Sequence, residues 1–185
     1  MVGRIQLKPN IMKKEPTANK YAKSIELLNK AVADEMFAVN QYMYFHFHLD
    51  DMGYDLLSSH FKRAAIQEMT HVERLAERIL FLKGDVEMKV SSPTLKITDV
   101  KKMLQQAAKM ERGSVDDYNN WANQCAAAAD AVTKKLFEEL VAEEEEHLDQ
   151  FETEIENLDN FGSNYLALQS IERSKSVAAG TQNEE

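Results

Sequence analysis

Two short stretches of this chain set a glutamate and a histidine three residues apart inside helix-forming runs. QEMTHVERLAERIL (67–80) carries Glu68 and His71, and EEEEHLDQFETEI (143–155) carries Glu144 and His147. Three residues is close to one helical turn, so on a helix each pair shares a face. A carboxylate beside an imidazole is a pair of metal donors, yet a single such pair is also a common surface combination. What separates the two cases is the company the pairs keep.

Apolar residues recur at alternating steps of three and four along four long segments, the period of amphipathic helices that pack as a bundle. The first helix is expected from an N-cap at Thr17 to about Met52, closed by Gly53. It turns Tyr21, Ile25, Leu28, Val32, Glu35, Val39, Tyr42, His46 and Leu49 inward. The second, about 55–83 and ending at Gly84, presents Leu57, Phe61, Ala64, Glu68, His71, Leu75 and Leu82, with Arg78 the one misfit. GDVEMKVSSPTLKI (84–97) cannot continue a helix through Ser91, Ser92 and Pro93, and it is long enough to run the length of a bundle. The third helix starts near Thr98 and carries Val100, Leu104, Ala107, Glu111, Ser114, Tyr118, Trp121 and Cys125. The fourth, about 131–158, carries Phe137, Leu140, Glu144, His147, Phe151 and Leu158. The pattern predicts an all-α four-helix bundle with one long crossover between its second and third helices, and a short amphipathic helix (NYLALQSIER, 164–173) after it. The expected boundaries are an extended basic arm over 1–17, the bundle over 18–160, the short fifth helix over 161–173 and a polar tail over 174–185.

Each of the four seams is interrupted by a glutamate. Glu35 to Glu68 spans 33 positions, and so does Glu111 to Glu144; adding 76 to 35, 68 and 71 gives 111, 144 and 147. Tyr42 and Tyr118 obey the same offset, as do Leu28 and Leu104. The chain therefore reads as two copies of one helical hairpin, which on packing bring four carboxylates and two imidazoles to one level. Four buried carboxylates are prohibitive unless protonated or neutralised, and two divalent cations match their charge. Two lone glutamates plus two Glu-x-x-His pairs on four helices is the ligand set of di-iron and di-manganese bundles. Oxygen-rich and without thiolate, it suits iron or manganese, and with iron the expected chemistry is oxidation of Fe(II) by O2 or H2O2.

With these residues in place, the chain resembles a bacterioferritin of the ferritin-like superfamily, over about residues 20–172. The segments that carry the resemblance are DEMFAVNQYM (34–43), QEMTHVERLAERILFLKG (67–84), KMERGSVDDY (109–118) and EEEEHLDQFETEI (143–155). It implies a ferroxidase centre of two iron ions per subunit, bridged by Glu68 and Glu144, with Glu35, Glu111, His71 and His147 as terminal ligands. Tyr42 and Tyr118 are expected to hydrogen-bond those ligands. The resemblance also implies storage of Fe(III) mineral in a hollow homo-oligomeric shell of about 24 subunits. A ferredoxin-like electron donor for iron release would be a further partner. The alternative is a mini-ferritin-like shell of about 12 subunits that consumes peroxide and protects DNA. Met69, next to Glu68, falls off the metal face, on an outer stripe with Ala65, Ile66, Val72 and Ala76. By resemblance it is the axial ligand of a haem, b-type or a related porphyrin, shared between two subunits. The chain departs from the family at Gln67, where Asp commonly precedes the Glu-x-x-His.

Composition agrees with this reading. Six glycines and three prolines in 185 residues favour long helices. The net charge of −9 disfavours a nucleic-acid binder and suits the attraction of cations, although residues 1–23 form a locally basic arm. No apolar run approaches a membrane span, the N-terminus lacks a signal-peptide pattern, and the lone Cys125 cannot form an internal disulfide. A cytoplasmic protein is the expectation.

Overall fold

The computed structural model describes residues 19–168, 170 and 171. They form helices α1 (Ala22–Asp51), α2 (Asp55–Phe81), α3 (Val100–Ala127) and α4 (Ala131–Phe161). Residues 163–168 are helical again beyond Gly162, and no strand occurs among the described residues. This is the bundle, with crossover and short final helix, that the periodicity predicts. The arm expected over 1–17 and the tail over 174–185 lie outside the described residues.

Local chemistry sets the helix ends. Thr17 also lies outside the described residues; α1 begins later than expected because Asn19 closes a turn. Its Oδ1 accepts from the Tyr21 N–H at 2.9 Å, and its carbonyl accepts from the Ala22 N–H at 3.0 Å. Asp99 and Asp130 cap α3 and α4 by accepting from the Lys102 and Thr133 N–H groups. Gly53 ends α1 with φ 79°, as anticipated. At the end of α2, however, the left-handed residue is Lys83 (φ 63°), not Gly84. The Gly84 N–H reaches back to the Ile79 carbonyl at 2.9 Å. Glycine is required at 84 for space, since a Cβ would sit 2.7 Å from Ile25 Cγ2 and 3.0 Å from Ile79 Cγ2.

Helices α1 and α2 form one antiparallel hairpin and α3 and α4 another; α1 packs on α3 and α2 on α4. The crossover returns along α1, and two amides hold it there. Asn29 donates to the Asp85 carbonyl (3.0 Å) and accepts from the Glu87 N–H (2.8 Å). Buried Gln41 does the same for Leu95, donating to its carbonyl at 3.0 Å and accepting from its N–H at 2.7 Å. Each amide thus satisfies both backbone groups that an extended strand leaves open.

The buried apolar side chains divide into two clusters. One gathers Leu28, Val32, Leu75, Ile79, Trp121 and Phe137; the other gathers Phe45, Leu49, Phe61, Leu104, Ala107 and Phe151. Between them lies the layer of Glu35, Glu68, His71, Glu111, Glu144 and His147, all buried. The seam of α1 differs from expectation past this layer. Ala38 and Phe45 are its core positions, while Val39 and His46 are only partly buried. Steps of three and four leave two neighbouring choices at each turn, and helix crossing selects between them.

Arg78, the misfit, has a structural task. Its side chain crosses from α2 to the start of α4, where Nε donates to Thr133 Oγ1 (2.9 Å) and Nη2 to Asp130 Oδ1 (2.6 Å). Ile79 takes the core position instead. Asp130 is 3% exposed, so removing its cation leaves a buried charge whose remaining partner is Thr133. Arg78→Ala is expected to cost about 3 kcal/mol in urea unfolding. A loss below about 1 kcal/mol, the worth of a surface pair, would contradict this role.

Candidate metal centre

One residue from each of α1 and α3, and two from each of α2 and α4, meet in the polar layer. Their donor atoms form two overlapping groups. Glu35, Glu68, His71 and Glu144 make one; Glu68, Glu111, Glu144 and His147 make the other; within each group the donor atoms lie within 4.8 Å of one another. Glu68 and Glu144 belong to both groups. The six residues singled out by the 76-residue offset are therefore brought together, with the pseudo-twofold relation that the offset implies.

The two imidazoles stack with centroids 5.9 Å apart and turn Nδ1 toward the carboxylates. His71 Nδ1 lies 2.9 Å from Glu68 Oε2, 3.0 Å from Glu144 Oε1 and 3.4 Å from Glu35 Oε1. His147 Nδ1 lies 3.0 Å from Glu68 Oε1 and 3.3 Å from Glu144 Oε2. These are ion-pair separations without hydrogen-bond geometry. Both oxygens of Glu68, both of Glu144 and both Nδ1 atoms are buried with no hydrogen-bond partner. Buried polar groups in native proteins are otherwise nearly always paired. Six unpaired donors of this type, converging in two groups, fit a pair of metal ions.

The surrounding groups fix the donors in place. Tyr42 and Tyr118 cross between hairpins: Tyr42 on α1 donates to Glu111 Oε1 on α3, and Tyr118 on α3 donates to Glu35 Oε1 on α1 at 2.5 Å. Each tyrosine thus serves the carboxylate of the opposite helix, not the one two turns before it. Behind the imidazoles, His71 Nε2 meets Glu143 Oε2 at 2.9 Å and His147 Nε2 meets Gln67 Oε1 at 3.1 Å. Glu143 is held in turn by Arg74 Nη1, at 2.8 and 2.9 Å. Sequence reasoning passed over Glu143 and Arg74, although the same offset maps Gln67 onto Glu143.

Charge in this layer is strongly perturbed. Burial, and then the neighbouring carboxylates Glu144 and Glu68, push Glu35 and Glu111 well above the usual carboxylate range. Burial also lifts the Tyr42 and Tyr118 phenols, with Glu111 and Glu35 respectively adding to it. For the imidazoles burial acts downward but is overcome. The carboxylates around Nδ1 raise His71 far above its ordinary value and hold His147 at about 9. For Glu144 burial acts upward, and His147 and His71 outweigh it, bringing the carboxyl to about 2. Protons therefore balance the charge when cations do not, and the two compete for the same atoms.

Beside Glu111, between α1 and α3, the residues lining a cavity of about 240 Å³ include Asp34, Ser91, Lys109, Ser114 and Asp117. Asp34 is raised by its burial there, with Asp117 adding to the effect and Ser91 opposing it. Met69 emerges from α2, 54% exposed, beside Ile66 at 51%. Ala65 and Val72, expected on the same outer stripe, belong to the core instead. Ala65 lies in the cluster that holds Ala38, Tyr42 and Phe45 of α1, and Val72 in the one that holds Leu28 and Val32.

A ferritin-like domain family matches residues 25–161. The bacterioferritin of Desulfovibrio desulfuricans is 38% identical over 146 residues, covering 79% of this chain and 82% of that protein. The bacterioferritin of Brucella melitensis is 36% identical over 151 residues, covering 82% and 90%. The X-ray structure of the D. desulfuricans bacterioferritin, described with its diiron site in different catalytic states, matches with a TM-score of 0.80 at 36% identity. That match covers 82% of this chain and 88% of the other. Family, fold and buried donor set agree: the chain belongs to the ferritin-like proteins, and among them to the bacterioferritins.

Proposed function

We propose that this chain is the subunit of an iron store and carries a ferroxidase centre within its own bundle. The observation that carries the reading is the set of six buried, unpaired donor atoms in two groups sharing Glu68 and Glu144. Those two carboxylates would help to hold iron in both groups. Glu35 and His71 would complete one, and Glu111 and His147 the other. An iron pair held there supplies electrons for the reduction of O2 or H2O2 as Fe(II) becomes Fe(III).

The chain's own residues supply positioning, charge and protons. Tyr42 and Tyr118 orient the terminal carboxylates and keep their own protons at neutral pH, as their raised phenols require. Glu35 and Glu111 give up protons as cations arrive. Asp34 and Asp117, in a cavity that Lys109 and Glu111 also line, offer Fe(II) an approach to Glu111. Glu68→Ala removes a donor shared by both positions and touches neither apolar cluster. It is expected to bring initial Fe(II) oxidation down to the rate in buffer with helical content unchanged. An undiminished initial rate would contradict the assignment.

Storage needs an enclosed volume that one bundle lacks, so the working form would be a shell of identical subunits, about 24 by resemblance. Phe47, Leu56, Leu80, Phe81 and Phe161 are exposed large apolar residues and supply material for such contacts. Among the described residues no helix is long and apolar enough to cross a membrane. We place the shell in the cytoplasm, with a ferredoxin-like donor for iron release.

We also propose that Met69 ligates a haem shared by two subunits. The support is an accessible thioether beside exposed Ile66, turned away from the metal centre. Met69→Leu nearly conserves volume, so the assembly should survive while the haem absorption band disappears and Fe(II) oxidation continues. An unchanged haem spectrum and stoichiometry would refute the assignment and turn attention to Met52 or His60.

A further inference from the structure

We propose that the two metal positions of this chain are unequal. The position held by Glu35 and His71 binds more tightly than the one held by Glu111 and His147, because Glu143 stands behind His71 while Gln67 stands behind His147. The inference rests on the metal-centre reading above. Positions 67 and 143 are equivalents in the two half-chains, so the scaffold offers both imidazoles the same neighbour and only the side chain differs.

That difference acts on the imidazole itself. A carboxylate only accepts hydrogen bonds. A cation at Nδ1 leaves His71 a single ring proton, on Nε2, and Glu143 at 2.9 Å accepts from it. It also draws on that N–H bond, which makes Nδ1 the stronger donor. Gln67 accepts through Oε1 at 3.1 Å, but an amide turned by half a rotation donates instead. The turned amide favours a proton on His147 Nδ1, the atom a metal needs. With a cation bound, His71 thus keeps a fixed acceptor behind its ring, and His147 does not.

Arg74 deepens the asymmetry. Its guanidinium grips both oxygens of Glu143 and reaches Glu139 at 3.1 Å, holding the carboxylate with its negative end on the ring. The equivalent of Arg74 in the second half is Gln150, which cannot form such an ion pair. Net charge is not the distinction, because Arg74 offsets Glu143. What differs is the direction of the dipole and the freedom of the acceptor to rotate.

Neither residue is in a core: Gln67 is exposed and the Glu143 side chain is 43% exposed, so substitutions at both should fold. The test is an anaerobic Co(II) titration of the metal-free full chain, followed by visible absorption. Wild type is expected to bind two Co(II) per chain in two separate steps. Gln67→Glu should tighten the weaker step about tenfold and leave the tighter one unchanged. Glu143→Gln should weaken the tighter step about tenfold. In each variant only the absorption bands of the affected step should shift, a change that a purely structural role would not produce. Two ions per chain with an unaltered gap between steps in both variants would overturn the proposal, as would Gln67→Glu acting on the tighter step. Fewer than two ions per wild-type chain would overturn the metal-centre reading itself.

Discussion

The constraint on which this structure depends is charge in the middle of an apolar core. Four carboxylates and two imidazoles form a layer that divides the buried side chains into two clusters. Packing alone would favour replacing that layer with leucines, since unpaired buried charge opposes folding by several kcal/mol per group. The layer is tolerable because its groups neutralise one another through protons, and useful because cations can take the place of those protons. The two apolar clusters clamp the helices above and below, which keeps the donors in position through that exchange. Stability and metal chemistry are thus set by different parts of the same helices.

Much of this was legible in the sequence because a helix converts spacing into position. A glutamate at a seam position must face the interior, and a common offset of 76 ties its partners to the same level. The ligand set followed from those two facts. Features that depend on contacts between distant segments did not. Asn29 and Gln41 look like ordinary polar helix residues, yet they hold the crossover through its backbone. The choice between Val39 and Ala38, or between His46 and Phe45, depends on how α1 crosses its neighbours. The crossed pairing of Tyr42 with Glu111 and Tyr118 with Glu35 is likewise a property of the packed hairpins. Gly84 helps to close α2, as its position suggests, but the need to leave room for Ile25 is a packing fact that no helix-end pattern carries.

The internal repeat also sharpens what is particular to this chain. Where both halves keep the same residue, as with the glutamates, histidines and tyrosines, the bundle enforces symmetry. Where they differ, as at Gln67 and Glu143, the difference falls on groups that touch the ligand histidines from behind, and Arg74, which holds Glu143, is replaced by Gln150 in the other half. Such positions can tune a metal without disturbing the fold that holds it.

The central claim is that protons and two divalent cations exchange for one another in the buried layer. The most direct measurement is a pH-stat titration of the metal-free protein with Mn(II) near neutral pH. Glu35, Glu111 and both imidazoles bind protons more strongly in the fold than when free, with His147 at about 9. Metal binding should therefore release protons until two ions per chain are bound, and affinity should fall as the pH is lowered. Binding of two ions with no proton release, or affinity that does not change with pH, would contradict the account.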